Sequence, residues 1–172
     1  MGEVLPLQKL QAQYGAQGFE VLSVYTRESH PGENYPHHDS YEQKLDHARK
    51  LRQLEAVTVP ILVDDLQGTT HRKYGLLSNM VYLINREGSV VYKADWTDHY
   101  ELAGMCEDLL RLDAMKSEGV PIIRSSRSER MHWIPMDPNL RERVYRRSGE
   151  KAIQDYAHVN GHLPYATDSE KT

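Results

Sequence analysis

The sequence predicts an α/β fold: a mixed sheet with flanking helices, followed by a helical C-terminal extension. Three observations carry this. Residues 19–25 and 57–63 are mostly apolar runs of strand length, without the regular polar alternation of a half-exposed strand. A helical pattern separates them, as a crossover between parallel strands requires. Residues 80–84 and 90–92 then flank Asn85-Arg86-Glu87-Gly88, a hairpin turn with the expected glycine.

Each element has a local reason. Leu7, Leu10 and Tyr14 share one face of a helix over residues 5–14, which Gly15 and Gly18 stop. Residues 19–25 form the first strand, expected to be buried on both faces. Residues 26–39 form a loop with two prolines, a glycine and three histidines. Asp39 and Ser40 each fit a capping box, with Glu42 and Gln43 three residues on. The helix they start runs to about Leu54, with Tyr41, Leu45, Ala48 and Leu51 inward. The second strand ends in Asp64-Asp65, and a polar helix or turn over residues 68–74 closes at Gly75. After the hairpin, residues 98–112 read as an amphipathic helix with Leu102, Met105, Cys106, Leu109 and Leu112 inside. The order is therefore α, β, α, β, α, β, β, α.

Beyond residue 114 the character changes. Residues 118–130 are polar and basic, Trp133-Ile134-Pro135-Met136 is a docking patch, and two short helices follow at 138–147 and 150–158. The tail from Leu163 is expected to fray. The domain reading is residues 1–114 as one α/β domain and 115–172 as a polar linker with a helical extension.

Bulk properties narrow the function. The chain has 172 residues, 39% of them hydrophobic, enough for a core in its first two thirds. Its mean hydropathy is −0.69, and the last third is too polar to be compact alone. A net charge of −4 argues against a general nucleic-acid or membrane-surface role. No apolar run approaches a membrane span and no signal-peptide core is visible, so a cytoplasmic location is the default expectation. The single cysteine, Cys106, excludes an intrachain disulfide framework and a cysteine zinc cluster.

In parallel α/β sheets ligands sit beyond the carboxyl ends of the strands. Residues 21–31 place Tyr25, Arg27, Glu28 and His30 there. A histidine can deliver protons near neutral pH, and Glu28 can orient it or relay the proton. Tyr25, one strand period back, and His38, before the next helix, can join the same network. The plainer reading is a solvated strand end. His30, His37, His38 and Asp39 carry ligand atoms suited to zinc, but His-x6-His-His is no helical ligand pair and adjacent histidines rarely share one ion, so no metal is assigned. Cys106 between Met105 and Leu109 reads as packing rather than as a nucleophile. Asp64-Asp65 reads as a strand-to-turn cap. Arg124, Arg127 and Arg130, without interleaved aromatics, read as a solvated linker.

The element order is that of a thioredoxin-like fold whose first core strand is missing. Tyr25-x-x-Glu28-x-His30-Pro31, followed by His38, resembles the iodothyronine deiodinase family. Arg27 to Glu33 is similar to a segment of its bacterial relatives. Val63-Asp64-Asp65, Tyr74-Gly75, the hairpin Val81-Tyr82-Leu83-Ile84 to Val91-Tyr92-Lys93, Met131-His132-Trp133-Ile134-Pro135 and the helix start at Gly149 also match. The resemblance spans about residues 5–158. It implies a thioredoxin-like oxidoreductase whose selenocysteine or cysteine lies at the start of the helix that residues 5–14 match. There a helix N-terminus lowers the pKa of the nucleophile. It also implies proton handling by His30 and Glu28, with Tyr25 and His38 in the network. The expected partners are a small-molecule substrate and an external thiol reductant, with no bound cofactor.

On this view the nucleophile lies upstream of Met1. Selenocysteine is encoded by UGA, which is read as a stop by default, so a start reassigned to the next methionine would yield this chain from a selenoprotein. As given, the chain is expected to lack selenol or thiol chemistry. One feature departs from thioredoxins and another from the animal deiodinases. Leu77-Ser78-Asn79-Met80 lacks the proline thioredoxins place before the hairpin, as in the deiodinase-like branch. Ala94-Asp95-Trp96-Thr97 lacks the arginine with which animal deiodinases grip their substrate, which argues against a thyroid-hormone-like substrate. A non-catalytic thioredoxin-like binding module stays open as an alternative, as does a histidine metal-binding protein. An open sheet edge could also pair two copies into a homodimer.

Overall fold

The computed structural model describes residues 4–123 and 138–165. The basic stretch at Arg124, Arg127 and Arg130, the Met131–Met136 segment with Trp133, and the tail beyond Tyr165 lie outside the described residues. The chain is mixed helix and strand, with one parallel strand pair and one antiparallel hairpin. It forms two compact units, residues 22–78 with 138–165, and residues 4–21 with 79–123.

The first unit contains β1 (Ser23–Tyr25), α2 (Tyr41–Leu54), β2 (Ile61–Val63), α3 (Thr69–Lys73), α5 (Pro138–Ser148) and α6 (Glu150–Asn160); the second contains α1 (Val4–Tyr14), β3 (Val81–Ile84), β4 (Val90–Ala94) and α4 (His99–Ser117). In the first unit, β1 and β2 run parallel in the register Ser23–Ile61, Val24–Leu62 and Tyr25–Val63. Both strands are shorter than their apolar runs. Val57 and Val59 are buried ahead of β2 without joining its ladder.

The expectation of burial on both faces fails here. Leu22 is 52%, Val24 41% and Leu62 51% exposed. A ribbon of two short strands packs on one face only. Val24 and Leu62 are cross-strand partners, so they share the uncovered face.

The start of α2 follows its capping signal. The Ser40 hydroxyl accepts from the Gln43 amide at 3.1 Å, and the Gln43 side chain accepts from the Asp39 amide at 2.7 Å. The inward face matches the expected one only in part: Ala48 is buried and Leu45 and Leu51 are half-buried. Lys44 and His47 are buried too, whereas Tyr41 is 42% exposed. Ser40→Ala is expected to cost about 1 kcal/mol, read as a lower urea midpoint, because it frees a first-turn N–H.

After β2, Asp64 accepts from the amides of Asp65, Thr70 and His71, each at 2.9 Å, and Asp65 accepts from that of Thr69 at 2.8 Å. Burial alone would raise the Asp64 pKa, but these N–H groups hold it below the ordinary carboxylate range. The acidic pair caps α3, as expected for a strand-to-turn transition. Lys44, buried on α2, donates to the Asp65 carbonyl at 2.8 Å.

Helices α5 and α6 pack through Tyr145, Ala152 and Ile153, with Tyr156 and Tyr165 against them. The expected fraying therefore does not begin at Leu163. Pro164 is buried and the Arg146 guanidinium lies over the Tyr165 ring.

In the second unit, α1 and α4 meet through Leu10, Tyr14, Leu102 and Cys106, and Val81 and Tyr92 of the hairpin pack against that cluster. Tyr14 also donates to Glu107 at 3.0 Å. Gly18, at φ 92°, ends the turn after α1. Gly88, at φ 79°, closes the hairpin turn. Asp98 caps α4 by accepting from the Tyr100 and Glu101 amides. Cys106 is a buried free thiol whose pKa is raised by burial and then by Glu107. It packs the core, as the sequence suggests. Among the described residues no helix is long and apolar enough to cross a membrane.

Candidate functional site

The end of β1 carries the strongest concentration of chemistry. Tyr25, the last residue of the strand, donates its hydroxyl to Glu28, and the same hydroxyl lies 3.3 Å from His38 Nε2. Glu28 Oε1 lies 3.8 Å from His38 Nε2 and 3.5 Å from His47 Nδ1. The strand delivers Tyr25, the following loop delivers Glu28, the segment before α2 delivers His38, and α2 itself delivers His47. Tyr35 closes the group with its ring centroid 5.3 Å from that of His47.

The group is largely dry, and that sets its protonation. Only 17% of the Glu28 side chain and 6% of the His38 side chain reach solvent. Burial raises the Glu28 pKa to about 7. Burial lowers the His38 pKa to about 4, helped by charge on His47, Lys44 and His37. His47 is likewise held below its ordinary value, by burial and then by Lys50, with Asp46 opposing. In weakly acidic solution the proton therefore sits on the Glu28 carboxyl and the His38 imidazole stays neutral.

Three of the four expected site residues, Tyr25, Glu28 and His38, are brought together. His30 is placed elsewhere. Its Nδ1 lies 3.2 Å from the Tyr145 hydroxyl, and the two rings stack at a tilt with centroids 4.7 Å apart. Glu28 therefore does not orient His30; it faces Tyr25, His38 and His47. The His30 pKa is lowered by burial and then by Arg141. His37 and Asp39 are exposed, and the set His30, His37, His38 and Asp39 is not the metal-capable cluster. Among the described residues Glu28, His38 and His47 are that cluster, with one ligand atom from each lying within 4.8 Å of the others.

The rest of the His30-Pro31-Gly32-Glu33 segment holds the C-terminal helices. Glu33 accepts from the Glu150 and Lys151 amides at 2.6 and 3.0 Å, capping α6 from outside where Gly149 has no side chain to do so. Asn34 donates from its backbone to the Ser148 carbonyl at 3.3 Å and from its side chain to that of Arg147 at 3.2 Å. Arg147 in turn pairs with Glu55.

Sequence reasoning missed His47 and Tyr145. His47 lies three residues after buried Lys44, a polar helical repeat that an apolar-face rule passes over. Tyr145 meets His30 across 115 residues of chain, with no local signal. No protein-family model, curated protein or solved structure matches this chain.

Proposed function

We propose that the chain carries the proton-handling part of a deiodinase-like, thioredoxin-fold oxidoreductase whose selenocysteine or cysteine lies outside these 172 residues. The carrying observation is the hydrogen-bonded group of Tyr25, Glu28 and His38 at the carboxyl end of β1. A buried carboxyl that titrates near neutrality both donates and accepts protons. In the reaction the selenolate or thiolate takes the halogen, the carbon–halogen bond breaks and the carbon takes a proton. Two external thiols then release halide, restore the nucleophile and leave as a disulfide. Glu28 holds the proton, with Tyr25 and His38 as its relay. His30, its Nδ1 3.2 Å from the Tyr145 hydroxyl, serves as a second donor. The unpaired edge of β1 among the described residues is where a preceding parallel strand would add.

The test starts with the DNA upstream of the Met1 codon. An in-frame UGA or cysteine codon within about fifteen codons, preceded by a strand-like segment, is expected from a nucleophile at the N-terminus of α1. The extended protein is then expected to reduce an iodinated phenol in the presence of a dithiol. Glu28→Gln should lower turnover roughly a hundredfold, the scale of a lost general acid, and His30→Ala should also lower it without unfolding the protein. Unrelated upstream sequence, or unchanged turnover in Glu28→Gln, overturns the reading. The exposed Leu22, Val24 and Leu62 then favour the second reading, a non-catalytic module that binds a partner on the β1–β2 face.

A further inference from the structure

We infer that Glu28, His38 and His47 form a binding site for a divalent first-row transition metal, with zinc the simplest occupant. His47 carries the inference. It is only 4% exposed, and its Nδ1 is buried with no hydrogen-bond partner. Its approach to Glu28 lacks hydrogen-bond geometry. A buried imidazole nitrogen left unpaired forfeits its hydration without a replacement, and nearly all buried polar groups in folded proteins find a partner.

The orphaned nitrogen faces two other ligand atoms. Glu28 Oε1 is 3.5 Å from His47 Nδ1 and 3.8 Å from His38 Nε2, and all three atoms lie within 4.8 Å of one another. Ligands bound at zinc distances in a tetrahedron are about 3.3 Å apart. Side-chain adjustments of a few tenths of an ångström to about 1.5 Å close the set around one ion. Two neutral imidazoles and one carboxylate are the donor set of many zinc and ferrous sites, and they leave a position for water. The Tyr25 hydroxyl donates to the same Glu28 oxygen and lies 3.3 Å from His38 Nε2, so it sits beside the ligand atoms and gives up that contact when an ion binds. The Lys44 ammonium on the same helix donates to the Asp65 carbonyl.

The site shares Glu28 and His38 with the relay proposed above but does not rest on it, because binding is measured without turnover. A metal on these atoms would occupy the lone pairs the relay uses, so metal and relay exclude each other. If the relay reading also holds, zinc inhibits the intact enzyme.

The full chain, stripped with EDTA, is titrated with Zn2+ by calorimetry and with Co2+ by visible absorption. The expected result is one equivalent of Zn2+, a raised melting temperature, and Co2+ bands of four- or five-coordinate intensity. His47→Ala and the near-isosteric Glu28→Gln should each weaken Zn2+ binding by roughly a hundredfold or more, beyond the scale of a lost supporting contact. His37→Ala, which alters an exposed neighbour, should leave it unchanged. Should His47→Ala fail to fold, Glu28→Gln decides. Sub-stoichiometric binding, or equal weakening by His37→Ala, overturns the site.

Discussion

Gly32→Ala is expected to destabilise the protein by about 2–3 kcal/mol, the upper part of the range for forced overpacking, and to lower its melting temperature by roughly 5–10 °C. A Cβ on Gly32 would come within 2.8 Å of the Ser148 carbonyl carbon and closer still to its oxygen, with the Ala152 Cβ at 3.3 Å. The obstacle is backbone at the end of α5, so no side chain can swing aside. Relief requires the loop and the α5–α6 pair to separate. That would strain the Asn34 bond to Ser148, the Glu33 cap on α6 and the Tyr145 contact with His30. Gly104→Ala is the control. It lies inside α4 with nothing within 4 Å of a new Cβ, so alanine should stabilise by about 0.5–1 kcal/mol through helix propensity. Equal effects of the two substitutions in urea denaturation would show that the loop does not seat the helices.

That contrast marks what a linear reading reaches. Local signals are legible. The Ser40–Gln43 box starts α2, Asp64 and Asp65 cap α3, Gly88 turns the hairpin and Cys106 faces the core. Each depends on groups a few residues apart or on one helical face. Tyr25 and Glu28 are legible as a pair for the same reason, since one turn of chain returns the carboxylate to the hydroxyl. What is not legible depends on distant packing. The His30-Pro31-Gly32-Glu33 segment reads as chemistry, yet its contacts are with residues 145–152. Apolar content turns α2 toward Tyr41, whereas the fold exposes Tyr41 and buries Lys44 and His47 beside Ala48. The Asp65 carbonyl gives Lys44 a buried partner, whereas His47 Nδ1 faces Glu28 at 3.5 Å without a hydrogen bond, so side-chain hydropathy alone does not choose this face. The apolar strands read as doubly buried, but two short strands leave Val24 and Leu62 bare.

The protonation of Glu28 and His38 produces opposite pH signatures in two single variants of metal-free protein. Glu28 titrates at about 7 when folded against 4.5 ordinarily. Its stabilising contribution is therefore complete below pH 4.5 and is lost as pH rises through 7. His38 titrates at about 4 against 6.5. Its contribution is complete above pH 6.5 and is lost as pH falls through 4. Between pH 4.5 and 6.5 the two slopes cancel, because folding in effect moves one proton from the imidazole to the carboxyl. The wild-type pair is thus nearly silent in that window. Removing either partner exposes the other. Relative to wild type, Glu28→Gln should gain stability as pH rises from 4.5 to 7. His38→Gln should lose stability as pH rises from 4 to 6.5. Partial solvent access trims each swing to about 2 kcal/mol. The causes of both shifts survive the substitutions, since burial dominates each and neither partner is the main perturber of the other. Urea midpoints across pH 4–7, in chelator, give the two difference curves. Curves that are both flat, or that slope the same way, would overturn the pairing of a protonated Glu28 carboxyl with a neutral His38 imidazole. The buried proton would then have to be placed elsewhere in the group, with His47 the next imidazole in reach of Glu28.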